Sequence, residues 1–88
     1  MKKKSVIVKS QSGLHARPAS ALVACAQQFE SDINLEKEGN SINAKSIIGI
    51  LGLGVNCEDE IIITADGADE IEAVETLSKL VQEELVHL

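Results

Sequence analysis

The stretch "EDEIIITADGADEIEA", Glu58–Ala73, decides the fold. Successive residues of a strand point to opposite sides, so Ile61, Ile62 and Ile63 put apolar side chains on both faces of an extended segment. A strand over Glu58–Ala65 therefore belongs inside a sheet, with neighbours on both edges. Asp66-Gly67 turns the chain. Asp69, with Glu72 three residues on, makes a capping-box pattern and predicts the start of a last helix. Ile71, Val74, Leu77, Val81 and Leu85 then recur at three- to four-residue spacing and form one apolar helical face.

Working back from this unit, Ser5–Lys9 is a short β-rich run and predicts a first strand. Ser10–Gly13 is a loop. Apolar residues at 16, 19, 22, 23, 26 and 29 keep helical spacing and predict a helix over about 16–28. Asp32–Lys37 alternates through Ile33 and Leu35, a second strand. Glu38-Gly39-Asn40 is a hairpin turn signal, followed by a short third strand at Ser41–Ala44. Ser46 caps a short helix, Ile47 to about Leu53, in which Gly49 and Gly52 limit helix propensity. The order βαββαβα predicts a two-layer α+β domain, with all helices on one face of the sheet. The tight link between strands two and three permits only an antiparallel hairpin. Strand neighbours beyond that pair are not in the pattern.

Eighty-eight residues make one domain with a modest core. A net charge of −6 and a single aromatic, Phe29, argue against nucleic-acid binding. The charge is unevenly placed. From Glu58 onward ten acids face one base, Lys79, whereas residues 10–29 and 39–57 contain no acid at all. If those two windows meet in space, they form a weakly basic surface suited to an anion or an acidic partner. The plainer reading is that acids simply collect on the last helix. Cys25 and Cys57 are too few for a disulfide framework, and the two Cys and two His have no zinc spacing, so no metal is expected. No segment reaches the ~20 apolar residues of a membrane span, nor the pattern of a signal peptide. A cytoplasmic protein is expected.

The stretch "SGLHARPAS", Ser12–Ser20, holds the only Pro and the only Arg of the chain beside His15. Pro18 is tolerated only in the first turn of a helix, so it fixes the helix start and places His15 at or next to the N-cap. A helix N-terminus offers free N–H groups and about half a positive charge, a ready anion site. Arg17 adds a fork suited to phosphate oxygens. A neutral imidazole is a good nucleophile, and the nearby positive end favours its lone pair. These parts suit phosphoryl acceptance on His15, with Arg17 and the backbone around Ala16, Arg17 and Pro18 receiving the charge. The residues equally allow an ordinary surface His beside a solvated Arg. A Ser/His pair at Ser12 or Ser20 lacks an orienting acid.

The helix from Ile47 is apolar all round. Ile50 and Leu53 form one stripe; Ile48 and Leu51 form another, flanked by Ile47. Only one can lie on the sheet. The other is either covered by a neighbouring element or exposed as a partner surface. Ser46 reads as a simple cap, or as a site where phosphate would be tolerated at a helix N-terminus beside Lys45.

Gly13-Leu14-His15-Ala16-Arg17-Pro18-Ala19 and Asn43-Ala44-Lys45-Ser46-Ile47 together resemble the two signatures of the HPr family, histidine-containing phosphocarriers of the bacterial phosphoenolpyruvate:sugar phosphotransferase system. The resemblance runs over essentially the whole chain, residues 1–88, as a single phosphocarrier domain. It implies an open-faced β-sandwich with four antiparallel strands in order 1-4-2-3 and three helices on one face. It implies that His15 takes a phosphoryl group on Nδ1 from phospho-enzyme I and passes it to enzyme II A domains, as a relay with no turnover of its own and no cofactor. Ser46 matches the residue phosphorylated by HPr kinase/phosphorylase, whose product acts with catabolite control protein A. A regulatory protein acting mainly through phospho-Ser46 is the alternative. The expected docking face comprises Ser12, Ala16, Ser20, Ala24, Gln27, Lys45, Ile47, Ile48 and Leu51, on a monomer. Gln27, Ile48, Leu51, Gly52 and Gly54 depart from the commoner family residues; they touch this face and leave His15 as it is. His15 sets the chain apart from Crh, a relative lacking that His, and Lys45-Ser46-Ile47 from nitrogen-branch paralogues.

Overall fold

The structure, a computed structural model, describes residues 1–87. Strands β1 (Lys2–Ile7), β2 (Asp32–Lys37), β3 (Asn40–Asn43) and β4 (Glu60–Asp66) form one antiparallel sheet in the order β1-β4-β2-β3. Helices α1 (Ala16–Ala26), α2 (Ile47–Leu53) and α3 (Glu70–Lys79) alternate with them. α3 continues through a wide π-helical turn at Leu80–Glu84 and a 3-10 turn at Leu85–His87.

The isoleucine run does what its pattern requires. β4 is interior, paired with β1 on one side and β2 on the other. Ile61, Ile63 and Ala65 are fully buried beneath the helices, with Ile33 and Leu35 of β2 and Val6 of β1 on the same face. Burying each such side chain contributes about 1.5–3 kcal/mol relative to exposure. The opposite face is open. Ile62 is half-buried there, directly across from Ser5 and Glu36.

β1 begins earlier than the β-rich run predicts, at Lys2, and ends at Ile7. Lys2, Lys3 and Lys4 are exposed yet pair with Ala65, Thr64 and Ile63. Charged side chains suit this edge strand because they discourage pairing with another chain. Past the strand, buried Val8 still exchanges backbone bonds with Glu58 and Asp59 at 2.7 and 2.9 Å. The hairpin turn uses Glu38 and Gly39, both at positive φ (51° and 83°), the primed geometry that matches strand twist.

Two expectations for the last helix fail. Ile71 is 64% exposed; Ala73, Val74, Leu77, Ser78, Val81 and Leu85 form the buried face instead. The Asp69 carboxylate does not cap its own helix. It accepts from the Glu30 and Ser31 amides, at 2.8 and 3.0 Å, and from the Ser31 hydroxyl, stapling the α1–β2 turn. The Glu70 carboxylate accepts from the Gly67 N–H at 3.1 Å, holding the turn that leads into the helix.

Candidate functional site

The loop before α1 is built around a close approach. Gly13 sits at φ +66°, and a Cβ there would lie 2.3 Å from the Val55 carbonyl oxygen and 2.7 Å from Asn56 Cα. No side chain fits that gap. The Leu14 N–H donates to the Val55 carbonyl at 3.1 Å, and Leu14 itself is buried. Chain 13–14 is thus fixed to chain 55–56, and the next residue, His15, inherits that placement.

His15 is the N-cap of α1, with φ −75° and ψ −172°, and its side chain makes no capping bond. Its carbonyl accepts the first helical bond, from Ala19 N–H at 2.8 Å. Its imidazole is exposed and borders a shallow cavity of about 190 Å³ lined by Leu14, Leu51, Gly54, Val55 and Asn56. Pro18, buried in the first turn, has no N–H to satisfy. No acid occupies this turn. Arg17 is exposed and forms no salt bridge among the described residues.

Ser46 is also an N-cap, of α2, but a different one. Its hydroxyl accepts from Gly49 N–H at 3.1 Å, the ordinary duty of a capping serine. One helix end is therefore closed by its own side chain and the other is left open. An open end with free N–H groups, an exposed guanidinium and no carboxylate is the one equipped to receive a phosphate.

The two acid-free windows meet. α1 packs on α2, and the cavity beside His15 is lined from both windows. Ser12, Ala16, Ser20, Ala24 and Gln27 are exposed, the last four on one face of α1 or at its end. Ile47, Ile48 and Leu51 are exposed while Ile50 is buried, so the second stripe of α2 is uncovered. It divides: Leu51 borders the His15 cavity, whereas Ile48, 81% exposed, lines a separate shallow pocket with Ile42 of β3 and Leu53. Lys45 is half-buried, and its ammonium donates to the Phe29 carbonyl at 2.8 Å, beyond the end of α1, rather than standing free beside Ser46.

Sequence reasoning missed Lys37 and Asp59. The Lys37 ammonium donates to the Gly54 carbonyl at 2.7 Å and pairs with Asp59 at 2.8 Å; the Asp59 carboxylate also accepts from Asn56 N–H at 2.8 Å. Lys37 first, and then the Asn56 amide, hold the Asp59 carboxyl below its ordinary range. Nothing local marks the Lys37 contacts, since Lys37 stands 17 residues from Gly54 in the chain, whereas Asp59 and Asn56 are three residues apart.

Both cysteines are free; burial, with Glu84 nearby, pushes the Cys25 thiol up. Among the described residues no group of three His, Cys, Asp or Glu is placed to hold a metal ion, and no helix is long and apolar enough to cross a membrane.

Comparison with known proteins agrees with this geometry. The family described as "PTS HPr component phosphorylation site" matches residues 2–83. HPr-C-His from Thermoanaerobacter tengcongensis is 41% identical, with 97% of this chain and 96% of that chain covered and a TM-score of 0.93. The phosphocarrier protein HPr of Bacillus anthracis is 44% identical over 92% of this chain and 96% of its own, with a TM-score of 0.90. Crh of Bacillus subtilis, a domain-swapped dimer related to catabolite repression, is 46% identical over 97% and 98%, with a TM-score of 0.78. The chain belongs to the HPr family, the phosphocarriers of the phosphotransferase system.

Proposed function

We propose that His15 is the covalent phosphoryl acceptor of this phosphocarrier, charged by phospho-enzyme I and discharged onto enzyme II A domains. The observation that supports it is the open N-terminus of α1: an exposed His15 that does not cap, beside an Arg17 that forms no salt bridge among the described residues. In the forward step the lone pair on Nδ1 attacks phosphorus while Nε2 keeps the ring proton. The N–P bond forms as the bond to the donor breaks, and the donor retains that electron pair. The phosphoryl group arrives with about two negative charges. The N–H groups of Ala16 and Arg17, the helix end and the Arg17 guanidinium balance them. Discharge reverses these events on an acceptor in the second partner. Phosphoryl transfer asks mainly for positioning and charge stabilisation, so a shallow, solvent-accessible site on a small protein suffices. The whole of residues 1–88 acts as one cytoplasmic, monomeric relay domain without cofactor, docking through the exposed faces of α1 and α2.

Ser46 supports a second, regulatory role. Phosphate on its hydroxyl would add charge at the start of α2 beside exposed Ile47 and Ile48, on the proposed docking face. HPr kinase/phosphorylase would supply it, and catabolite control protein A would read it. The test is to incubate the protein with enzyme I and phosphoenolpyruvate and look for acid-labile phosphate. It should form in the wild type and vanish in His15→Ala. No label, or label that survives the substitution, overturns the carrier reading. Acid-stable label formed only with ATP and a serine kinase would leave the regulatory reading alone.

A further inference from the structure

We propose that Lys37 and Asp59 are positioning residues for phosphoryl transfer: together they clamp the 54–56 segment that forms the floor beside His15. The inference deepens the carrier reading and rests on it.

The segment is held from two directions. On one side Gly13 and Leu14 press and bond against Val55 and Asn56. On the other, Lys37 donates to the Gly54 carbonyl and Asp59 accepts from the Asn56 amide, with the two side chains paired to each other. The Asp59 N–H also donates to the Asn56 carbonyl at 3.1 Å, closing a tight turn over 56–59. Lys37 is the last residue of β2, and Asp59 directly precedes β4; their side chains are 16% and 30% exposed. The clamp therefore anchors the floor to two adjacent strands of the rigid sheet. Gly54, Val55 and Asn56 all line the cavity that His15 borders, and Gly54 also ends α2. Releasing the clamp removes the side-chain ties of the floor to the sheet and puts more of the burden on Gly13 and Leu14, the two residues that lead into His15. Freedom there passes directly to the imidazole and to its alignment with a phosphoryl donor. Misplacements of an ångström, from changes remote from the chemistry, are enough to slow a transfer substantially.

Lys37→Met and Asp59→Asn change the net charge in opposite directions. The clamp predicts that both slow single-turnover transfer from saturating phospho-enzyme I, by about three- to tenfold. It further predicts that Lys37→Arg, whose fork can still reach both acceptors, restores the rate to within about twofold of wild type. Long-range electrostatics would instead move the two rates in opposite directions, which overturns the proposal. Rates within about twofold of wild type in both variants overturn it as well. Thermal unfolding establishes that each variant is folded at the assay temperature, and Asp59→Asn keeps an oxygen for the Asn56 amide. One readout does not depend on transfer. In the wild type, the Lys37 ammonium should give a slowly exchanging ¹⁵N signal; a freely exchanging one refutes the clamp without any substitution. If wild-type His15 takes no phosphate, the carrier reading falls, while this measurement still decides whether the clamp exists.

Discussion

Replacing Gly13 with Ala tests the geometry beside His15. Two costs add. At φ +66° an L-residue loses about 1–2 kcal/mol relative to glycine. The new methyl also lands 2.3 Å from the Val55 carbonyl oxygen and 2.7 Å from Asn56 Cα, against an optimal separation of about 3.5–4 Å. Both obstacles are backbone, and the Val55 carbonyl is already engaged by Leu14, so neither can rotate away. Overpacking of this kind costs about 1–3 kcal/mol. The sum, about 2–5 kcal/mol, is a large part of the 5–15 kcal/mol that typically holds such a domain together. It corresponds to a fall in Tm of roughly 8–40 °C. Gly39→Ala is the matched control. Its φ is +83°, but no atom lies within 4 Å of the new methyl, so only the conformational cost of about 1–2 kcal/mol applies. Urea unfolding of the three proteins gives the comparison. Gly13→Ala should lose at least about 1 kcal/mol more than Gly39→Ala, and it alone should slow phosphoryl transfer at His15. Equal losses in the two variants would refute the close approach, and with it the account of how His15 is placed.

Three further outcomes are expected. Arg17→Glu should slow transfer at His15 by a factor on the order of 10² with an unchanged unfolding curve, because Arg17 is exposed and forms no salt bridge among the described residues; an unchanged rate would sink the anion-site reading. Ser46→Asp should keep the cap on Gly49, leaving stability within about 0.5 kcal/mol of wild type, yet weaken calorimetric binding to enzyme I; equal affinity would remove the start of α2 from the docking face. Asp69→Ala should lower Tm at neutral pH. The Ser31 hydroxyl first, and then the Glu30 amide, hold the Asp69 carboxyl below its ordinary value. Its contribution is therefore fully present above about pH 4 and fades as pH falls through the depressed folded value. The Tm gap between wild type and variant should narrow below about pH 4, and a gap that persists undiminished to pH 2 contradicts the assignment.

Local patterns carried the fold a long way. The isoleucine run placed β4 inside the sheet, Glu38-Gly39 set the hairpin, and Pro18 set the start of α1. Where local pattern misled, a distant partner had intervened. The β-rich run begins only at Ser5, but β4 supplies a pairing edge that extends β1 back to Lys2. Asp69 has the chemistry of a cap, yet its acceptors are spent on Glu30 and Ser31, 39 and 38 residues away. Ile71 keeps a three-residue spacing to Val74 but falls at the edge of the face that Ala73, Val74, Leu77 and Ser78 bury. Lys45 reads as a cation for Ser46, but the end of α1 brings a carbonyl within reach of it.

The same division runs through the site. On the carrier reading, what would touch phosphate is coded locally, because a helix start needs only Pro18 in its first turn and a residue before it that declines to cap. What steadies the site is coded mostly at a distance, by Gly13 against Val55 and by Lys37 against Gly54 and Asp59. This explains how the acid-free windows 10–29 and 39–57 can belong to one surface although β2 and its hairpin turn separate them in the chain. The windows close on each other through the Leu14 N–H on the Val55 carbonyl and the Lys45 ammonium on the Phe29 carbonyl, neither of which uses a carboxylate, so the surface can stay free of acids without losing its hold. An acid brought into either window would gain nothing structurally and would compete with phosphate for Arg17 and the helix end. The absence of acids there is thus what the proposed phosphate chemistry would require, while two acids that bond across the fold, Asp59 and Asp69, lie outside both windows.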